Sequence, residues 1–144
     1  MPSITQHLSG EHRACDHTFA AAEARAAEGD LVASRDLFEE FFEAMERHFR
    51  REESVLFPEF EARTGQTQGP TLIMRHEHEQ MRRVFQDLAT AFDAGDAGQI
   101  LGLAETLLIL MQQHNTKEEQ MLYPMSDQAL ADRLDTLLEA MQRP

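Results

Sequence analysis

Two stretches of the chain carry the same run of potential metal ligands. The segment from His48 to Pro58 returns 66 residues later as His114 to Pro124, so H-x3-EE-x2-L-(F/Y)-P occurs twice. On a helix, residues four apart share a face about one turn apart. Each copy therefore aims an imidazole and a carboxylate in one direction, His48 with Glu52 and His114 with Glu118. Two such helices facing each other could hold one cation or two between them.

The same offset reaches beyond one helix. Leu8, Glu11, His12, Cys15 and Phe19 map onto Met74, Glu77, His78, Met81 and Phe85, which keeps an apolar, acidic, His, apolar, aromatic order. Each half reads as a helix pair with one His on its first helix and a His/Glu pair on its second. The candidate metal ligands are His12, His48 and Glu52 from one half, and His78, His114 and Glu118 from the other.

These residues interrupt apolar stripes of helical period. The stripes are Ile4, Leu8, His12, Cys15, Phe19; then Phe38, Phe41, Met45, His48, Glu52, Leu56, Phe60; then Met74, Met81, Val84, Phe85, Leu88, Phe92; and last Ile100, Leu103, Leu107, Met111, His114, Glu118, Met121, Met125. A lone His on an apolar face is ordinarily a hydrogen-bonded core residue, and a single H-x3-E is common by chance. Two copies with matching flanks are not. Two glutamates facing each other in a core would be costly unless cations sit between them.

On the third helix His76, Glu77 and His78 compete. At about 100° per residue His76 projects away from the stripe, whereas His78 lies on its edge. The offset matches His12 to His78 and so agrees. Glu77 borders the other edge, where a ligand role or a supporting one is open. Asp16, four residues after His12, either orients that histidine or is surface charge. His7 and His17 lie off the stripe and read as surface residues. The methionines and phenylalanines at helical spacing read as core filling that would keep the site dry.

The elements that position this set are helices. Breaks fall at Gly29-Asp30, from Thr64-Gly65 to Gly69-Pro70, from Asp93 to Gly98, and from Pro124 to Asp127. Helices of roughly 25 residues joined by short loops predict an all-α, antiparallel up-down-up-down four-helix bundle over residues 3–125. A short fifth helix, 127–142, carries Leu130, Leu134, Leu137, Leu138 and Met141 and would lie on the bundle or on a second subunit of a homodimer. Asp30 and Thr71 are the expected N-caps, and Gly65 the expected end of the second helix. Pro58 and Pro124 are expected to kink or stop their helices.

At 144 residues, all of this fits one domain spanning 1–144. Apolar content of 42% with 27% charged residues is that of a folded chain. No apolar run approaches the ~18 to 20 residues that span a bilayer, and no basic-then-apolar leader opens the chain, so a cytoplasmic location is expected. A formal charge of -13 would repel nucleic acid and anionic membranes and mildly favours cations. The single cysteine, Cys15, excludes an intramolecular disulfide and a multi-cysteine zinc or iron–sulfur site.

Imidazole and carboxylate without thiolate suit iron or manganese better than structural zinc, and paired carboxylates in a bundle core are the di-iron or di-manganese arrangement. The motifs resemble the hemerythrin-like, or HHE cation-binding, family over nearly the whole chain. The resemblance implies a non-haem centre of two iron ions with an oxo or hydroxo bridge, manganese or zinc being substitutes. Carried residue by residue it implies His12, His48, Glu52, His114 and Glu118 as ligands. The third helix departs from the oxygen carriers of the family, which resemble H-x3-H there; with His78 as anchor the partner would be Met74 or Arg82. Those carriers also use H-x4-acid on the last helix, which would select Glu119, whereas the internal symmetry favours Glu118.

Four histidines, two bridging carboxylates and one oxo bridge would leave roughly one open position on each of two six-coordinate metals. Neither metal would be singled out as the saturated one. That arrangement favours a small diatomic or peroxide partner, binding or reacting with O2, NO or peroxide in sensing, detoxification or redox work, over reversible oxygen carriage. The competing readings are iron storage or delivery with labile metal, a sensing domain whose last helix reports oxidation, and a hydrolytic dinuclear enzyme with only Glu77 as a base. Neither a Walker pattern nor G-x-G-x-x-G occurs, and His76-Glu77 lacks the second His of a zinc-protease helix.

Overall fold

The computed structural model describes residues 2–143, and no strand occurs among them. Helix α1 spans Ile4–Ala27 and opens on a capping box in which Ser3 and Gln6 satisfy each other's backbone N–H. Asp30 accepts from Ala33 N and starts α2, Leu31–Arg51, as expected of an N-cap. A π-helical turn, Glu52–Leu56, leads without a break into α3, Phe57–Thr64, which Gly65 ends in the left-handed region at φ 73°. Helix α4, Pro70–Ala94, ends at Gly95, and Asp96 caps α5, Ala97–Lys117. A second π turn, Glu118–Leu122, leads into α6, Tyr123–Ala129; a 3-10 turn, Ala131–Arg133, and α7, Leu134–Gln142, complete the chain.

Three expectations need correction here. Helix α4 begins at Pro70, whose missing N–H costs nothing in a first turn, so Thr71 is no cap; it is buried and its hydroxyl donates to Glu61 Oε2 at 2.7 Å. Pro58 and Pro124 do not stop their helices. In each widened turn an N–H reaches five residues back, Phe57 to Glu52 and Tyr123 to Glu118, which moves the carbonyl that a proline ring would strike. The last helix is shorter than 127–142, because Asp127 lies within α6 and does other work. Its carboxylate accepts from Ile4 N at 2.7 Å and Thr5 N at 3.1 Å, capping α1 from across the molecule.

The π turn also explains the one stripe that drifts. Between Glu118 and Asp127 the buried residues are Leu122, Tyr123 and Ser126, while Met121 and Met125 are exposed at 59% and 36%. The turn holds one residue more than an α turn, so the core-facing positions advance by one.

Helix α1 packs against α2 and α5, α4 against α5 and α2, and α7 lies on the first π turn and α1, which makes a helical bundle. Among the described residues no helix is long and apolar enough to cross a membrane. Two apolar cores fill the bundle. One holds Cys15, Met45, Phe49, Met81 and Met111; the other holds Leu8, Leu56, Phe57, Met74 and Leu122. Along α1, α2, α4 and α5 the histidines and glutamates fall between these two sets. Each fully buried Phe, such as Phe38, Phe41 or Phe60, contributes about 1.5–3 kcal/mol. An unsatisfied buried polar atom costs about 1–3 kcal/mol, and more when charged. The apolar cores carry the fold, and the polar layer between them draws on it.

Candidate metal centre

All six predicted ligands converge in that layer, each 2% exposed or less. His12 comes from α1, His48 from the last turn of α2, and His78 from the middle of α4. His114 comes from the last turn of α5, and Glu52 and Glu118 open the two π turns. His12 Nε2 lies 3.0 Å from His48 Nε2 and 3.1 Å from Glu118 Oε1. His78 Nε2 lies 3.1 Å from Glu52 Oε1, and His114 Nε2 3.1 Å from Glu118 Oε1. Their donor atoms form two sets that could each hold a metal ion, Glu52/His78/His114/Glu118 and His12/His48/Glu118, which share Glu118. On the third helix His76 is exposed, whereas His78 is fully buried in the layer. Glu118, fully buried, faces the layer, and Glu119 does not.

Each histidine is held from behind by a carboxylate. His12 Nδ1 pairs with Glu119 Oε2 at 2.7 Å, His48 Nδ1 with Glu11 Oε1 at 2.8 Å, His78 Nδ1 with Glu53 Oε2 at 2.7 Å, and His114 Nδ1 with Glu77 Oε1 at 2.8 Å. A carboxylate only accepts, so every Nδ1 donates and every Nε2 is left to face inward. The carboxylates are steadied in turn: Glu11 by Arg51, Glu53 by Arg82 at 3.0 Å, and Glu77 by Lys117. Asp16 is exposed and takes no part, because Glu119 fills the place behind His12. His17 is exposed, while His7 is half-buried with Nε2 3.5 Å from Glu11 Oε2.

The residues fit a metal on grounds internal to the layer. Glu52 Oε1, His78 Nε2, His114 Nε2 and Glu118 Oε2 are buried without a hydrogen-bond partner. The His12 and His48 Nε2 atoms, 3.0 Å apart with both Nδ1 atoms committed as donors, can face each other without a cation only by sharing a proton. A cation satisfies all of these atoms at once.

Charge in the layer is finely divided. Burial alone would lower the His114 pKa, but the Glu118 and Glu77 carboxylates raise it to about 10; His48 and His78 are also raised against burial, by Glu52 and Glu11 and by Glu52 and Glu53. Burial and the Glu118 charge push Glu52 up. Glu118 lies well below the usual carboxylate range despite its burial, because His114, Glu52 and His12 all favour its charged form. Glu53 opposes burial through His78 and Arg82 and is held at about 2.

One buried group breaks the internal symmetry. The Tyr123 hydroxyl contacts Glu52 Oε2 at 2.6 Å, Glu118 Oε1 at 2.9 Å and His12 Nε2 at 3.1 Å. Its counterpart in the first half is Phe57, which stacks on His78 at 5.7 Å between centroids much as Tyr123 stacks on His12 at 5.6 Å. The rings correspond and the hydroxyl does not, so the two sets are not equivalent, against the expectation drawn from the repeat. Sequence reasoning passed over Tyr123, Glu11 and Glu53 as functional residues. The signal for the acids was present, since the offset carries Glu11 to Glu77 and Glu53 to Glu119. For Tyr123 the only mark is the F/Y alternation within the repeated motif.

Comparison with curated proteins and with solved structures gives no match for this chain. The model of the hemerythrin HHE cation binding domain does match, over residues 3–126, from the first turn of α1 to the middle of α6 and across every residue of the His/Glu layer. With that match over most of its length and a buried His/Glu cluster able to bind metal, the chain belongs to the hemerythrin HHE cation-binding domain family.

Proposed function

We propose that His12, His48, Glu52, His78, His114 and Glu118 hold two metal ions, iron by preference, and that the centre binds or reacts with O2, NO or peroxide. The observation that carries this reading is the pair of donor sets sharing Glu118, with their inward atoms otherwise unpartnered. Imidazole and carboxylate without thiolate favour iron or manganese. Two iron ions there would supply ligand binding and one-electron redox chemistry toward small oxidants.

The chain's own residues prepare that chemistry. The four outer carboxylates fix each ring and keep its Nδ1 proton, so Nε2 stays available. Phe49, stacked on His78 at 4.0 Å, and Phe57 close the layer to water on one side. Tyr123 keeps a proton beside Glu52 Oε2, since burial and the Glu118 charge raise its pKa well above 10. It is the one hydroxyl in contact with the proposed ligands among the described residues. The full burial of the donors supports retention of metal over its delivery. The short joints at Glu28–Asp30 and Gly95–Asp96 support an antiparallel, up-down-up-down course of the long helices.

The test is metal analysis of protein purified under iron-replete conditions, followed by anaerobic reduction and exposure to O2, NO and peroxide under optical spectroscopy. About two iron ions per chain and a spectral change with at least one of these ligands are expected. Fewer than about one ion per chain would overturn the dinuclear reading. Rapid loss of iron to a mild chelator would favour storage or delivery. A long-lived, reversible oxy adduct would make the protein an oxygen carrier.

A further inference from the structure

Four of the chain's thirteen basic side chains line a single groove, in a protein with twenty-six acidic ones. The groove, of about 410 Å³, runs between the end of α2 with the first π turn and α7, and its walls are Arg47, Arg50, Arg51, Ser54, Arg143 and the apolar Val55 and Ala140. Arg50 and Arg51 lie three and four residues after Arg47, and Ser54 four and three residues after them, so the set shares a helix face. Arg51 is paired with Glu11 and Arg143 with Glu139, but Arg47 and Arg50 form no ion pair among the described residues. Glu43 and Glu46 border a neighbouring depression beside Arg47 and Arg50, but no carboxylate lines the groove itself, and guanidinium groups gathered there repel one another in a chain that has carboxylates in excess.

The internal duplication supplies a control. Sixty-six residues on, the same helix face carries Gln113, Thr116 and Lys117, which line a separate, shallower surface depression. Only Lys117 is charged there, and it matches Arg51, since each steadies the carboxylate behind a histidine, Glu77 and Glu11 respectively. The part of the arrangement that serves the His/Glu layer is thus repeated. Arg47 and Arg50 are not, and neither is the cover provided by α7.

We propose that this groove binds a small phosphate-bearing anion. Forked guanidinium donors match phosphate oxygens two at a time, the Ser54 hydroxyl adds a further donor, and Val55 and Ala140 offer an apolar surface to the remainder of a phosphate ester. The inference is independent of which metal the layer holds. It carries one consequence for that layer: Arg51 faces the groove while its partner Glu11 accepts from His48 Nδ1 at 2.8 Å, so a bound anion and Glu11 share one guanidinium.

The experiment is calorimetric titration of the full-length protein, as purified, with inorganic phosphate and with pyrophosphate, its metal content measured before and after so that chelation is not mistaken for binding. Saturable binding at one site is expected, weakened roughly tenfold in Arg47→Gln/Arg50→Gln. The control Arg13→Gln/Arg83→Gln removes two exposed arginines that also lack ion pairs, leaves the groove intact, and is expected to bind as the parent does. Absence of saturable binding would overturn the proposal, and so would equal weakening in both double variants, which would reduce the effect to net charge. Conversion of a dimer to a monomer by Arg47→Gln/Arg50→Gln would assign the groove to an acidic face of a second copy and overturn it as well.

Discussion

The Tyr123 hydroxyl donates to Glu52 Oε2 across 2.6 Å, tying the second half of the duplicated chain to the buried carboxylate of the first. Phe57 occupies the matching place without a hydroxyl, so the molecule itself shows that a phenylalanine ring packs in this setting. Tyr123→Phe is expected to fold and to retain its metal. In the metal-free protein it should lose about 1–3 kcal/mol, since Glu52 Oε2 is left without its donor. In the loaded protein its visible spectrum and its rate with peroxide should both change. Thermal melts with and without metal, together with stopped-flow spectra, check this; if spectrum and rate both match the parent, the hydroxyl serves packing alone.

Glu52 and Glu118 are the only fully buried carboxylates among the described residues, and His76, two residues before His78, is exposed. Glu52→Ala and Glu118→Ala should therefore each cost the second metal ion, whereas His76→Ala should leave loading unchanged. Glu52→Gln, which keeps volume and polarity, separates loss of the ligand from loss of the fold. Metal-to-protein ratios on matched preparations decide the matter. A normal ratio in Glu118→Ala would remove that residue from the shared position.

The distance between what could be read in the chain and what could not follows from burial. A His or Glu on an apolar stripe contradicts its surroundings, so His12, His48, Glu52, His114 and Glu118 stand out, and the repeat supplies His78. The carboxylates behind them lie at helix edges that are partly wet, where acidic residues are ordinary; Glu119 is 37% exposed and nothing local distinguishes it from Asp16. Helix caps at Asp30 and Gly65 were legible because they are local chemistry. The π turns were not, because they depend on how a proline is accommodated inside a packed helix, and with them went the register of Met121 and Met125. The C-terminal segment was misjudged for a related reason: Asp127 caps α1, a contact 123 residues distant from Ile4 that no local pattern announces.

Removing a supporting carboxylate should weaken metal binding without abolishing it. Glu53 is held by Arg82 and is 22% exposed, while Glu119 is 37% exposed and makes no ion pair with Arg or Lys among the described residues. Glu53→Gln is expected to lower metal affinity by roughly 10–100-fold, and Glu119→Gln by less, because a water-accessible hydrogen bond is more readily replaced by solvent. Competition with a chelator of known affinity gives both values. Equal losses would mean that burial of the outer partner is immaterial.

The layer should respond to pH in opposite ways with and without metal. In the metal-free protein His48, His78 and His114 are raised above their ordinary 6.5, His114 to about 10. Their contribution to stability is complete below about 6.5 and is lost as pH rises through the folded-state values. Glu53 and Glu118 are lowered from 4.5, Glu53 to about 2, so their contribution is complete above 4.5 and is lost as pH falls through the folded-state values. Glu52, raised by burial and the Glu118 charge, acts in the same direction as the histidines but loses its contribution as pH rises above 4.5, which draws the optimum toward the acid end. Metal-free protein should then be most stable between about 4.5 and 6.5 and weaken on the alkaline side. Metal displaces the Nε2 protons, so loading should release protons at neutral pH, its affinity should rise with pH, and the loaded protein should stay stable where the metal-free one declines. Denaturant melts across pH and calorimetry in buffers of different ionisation enthalpy measure both effects. A metal-free optimum above pH 7 or so, or loading without proton release, would show that the histidines are neutral before metal arrives.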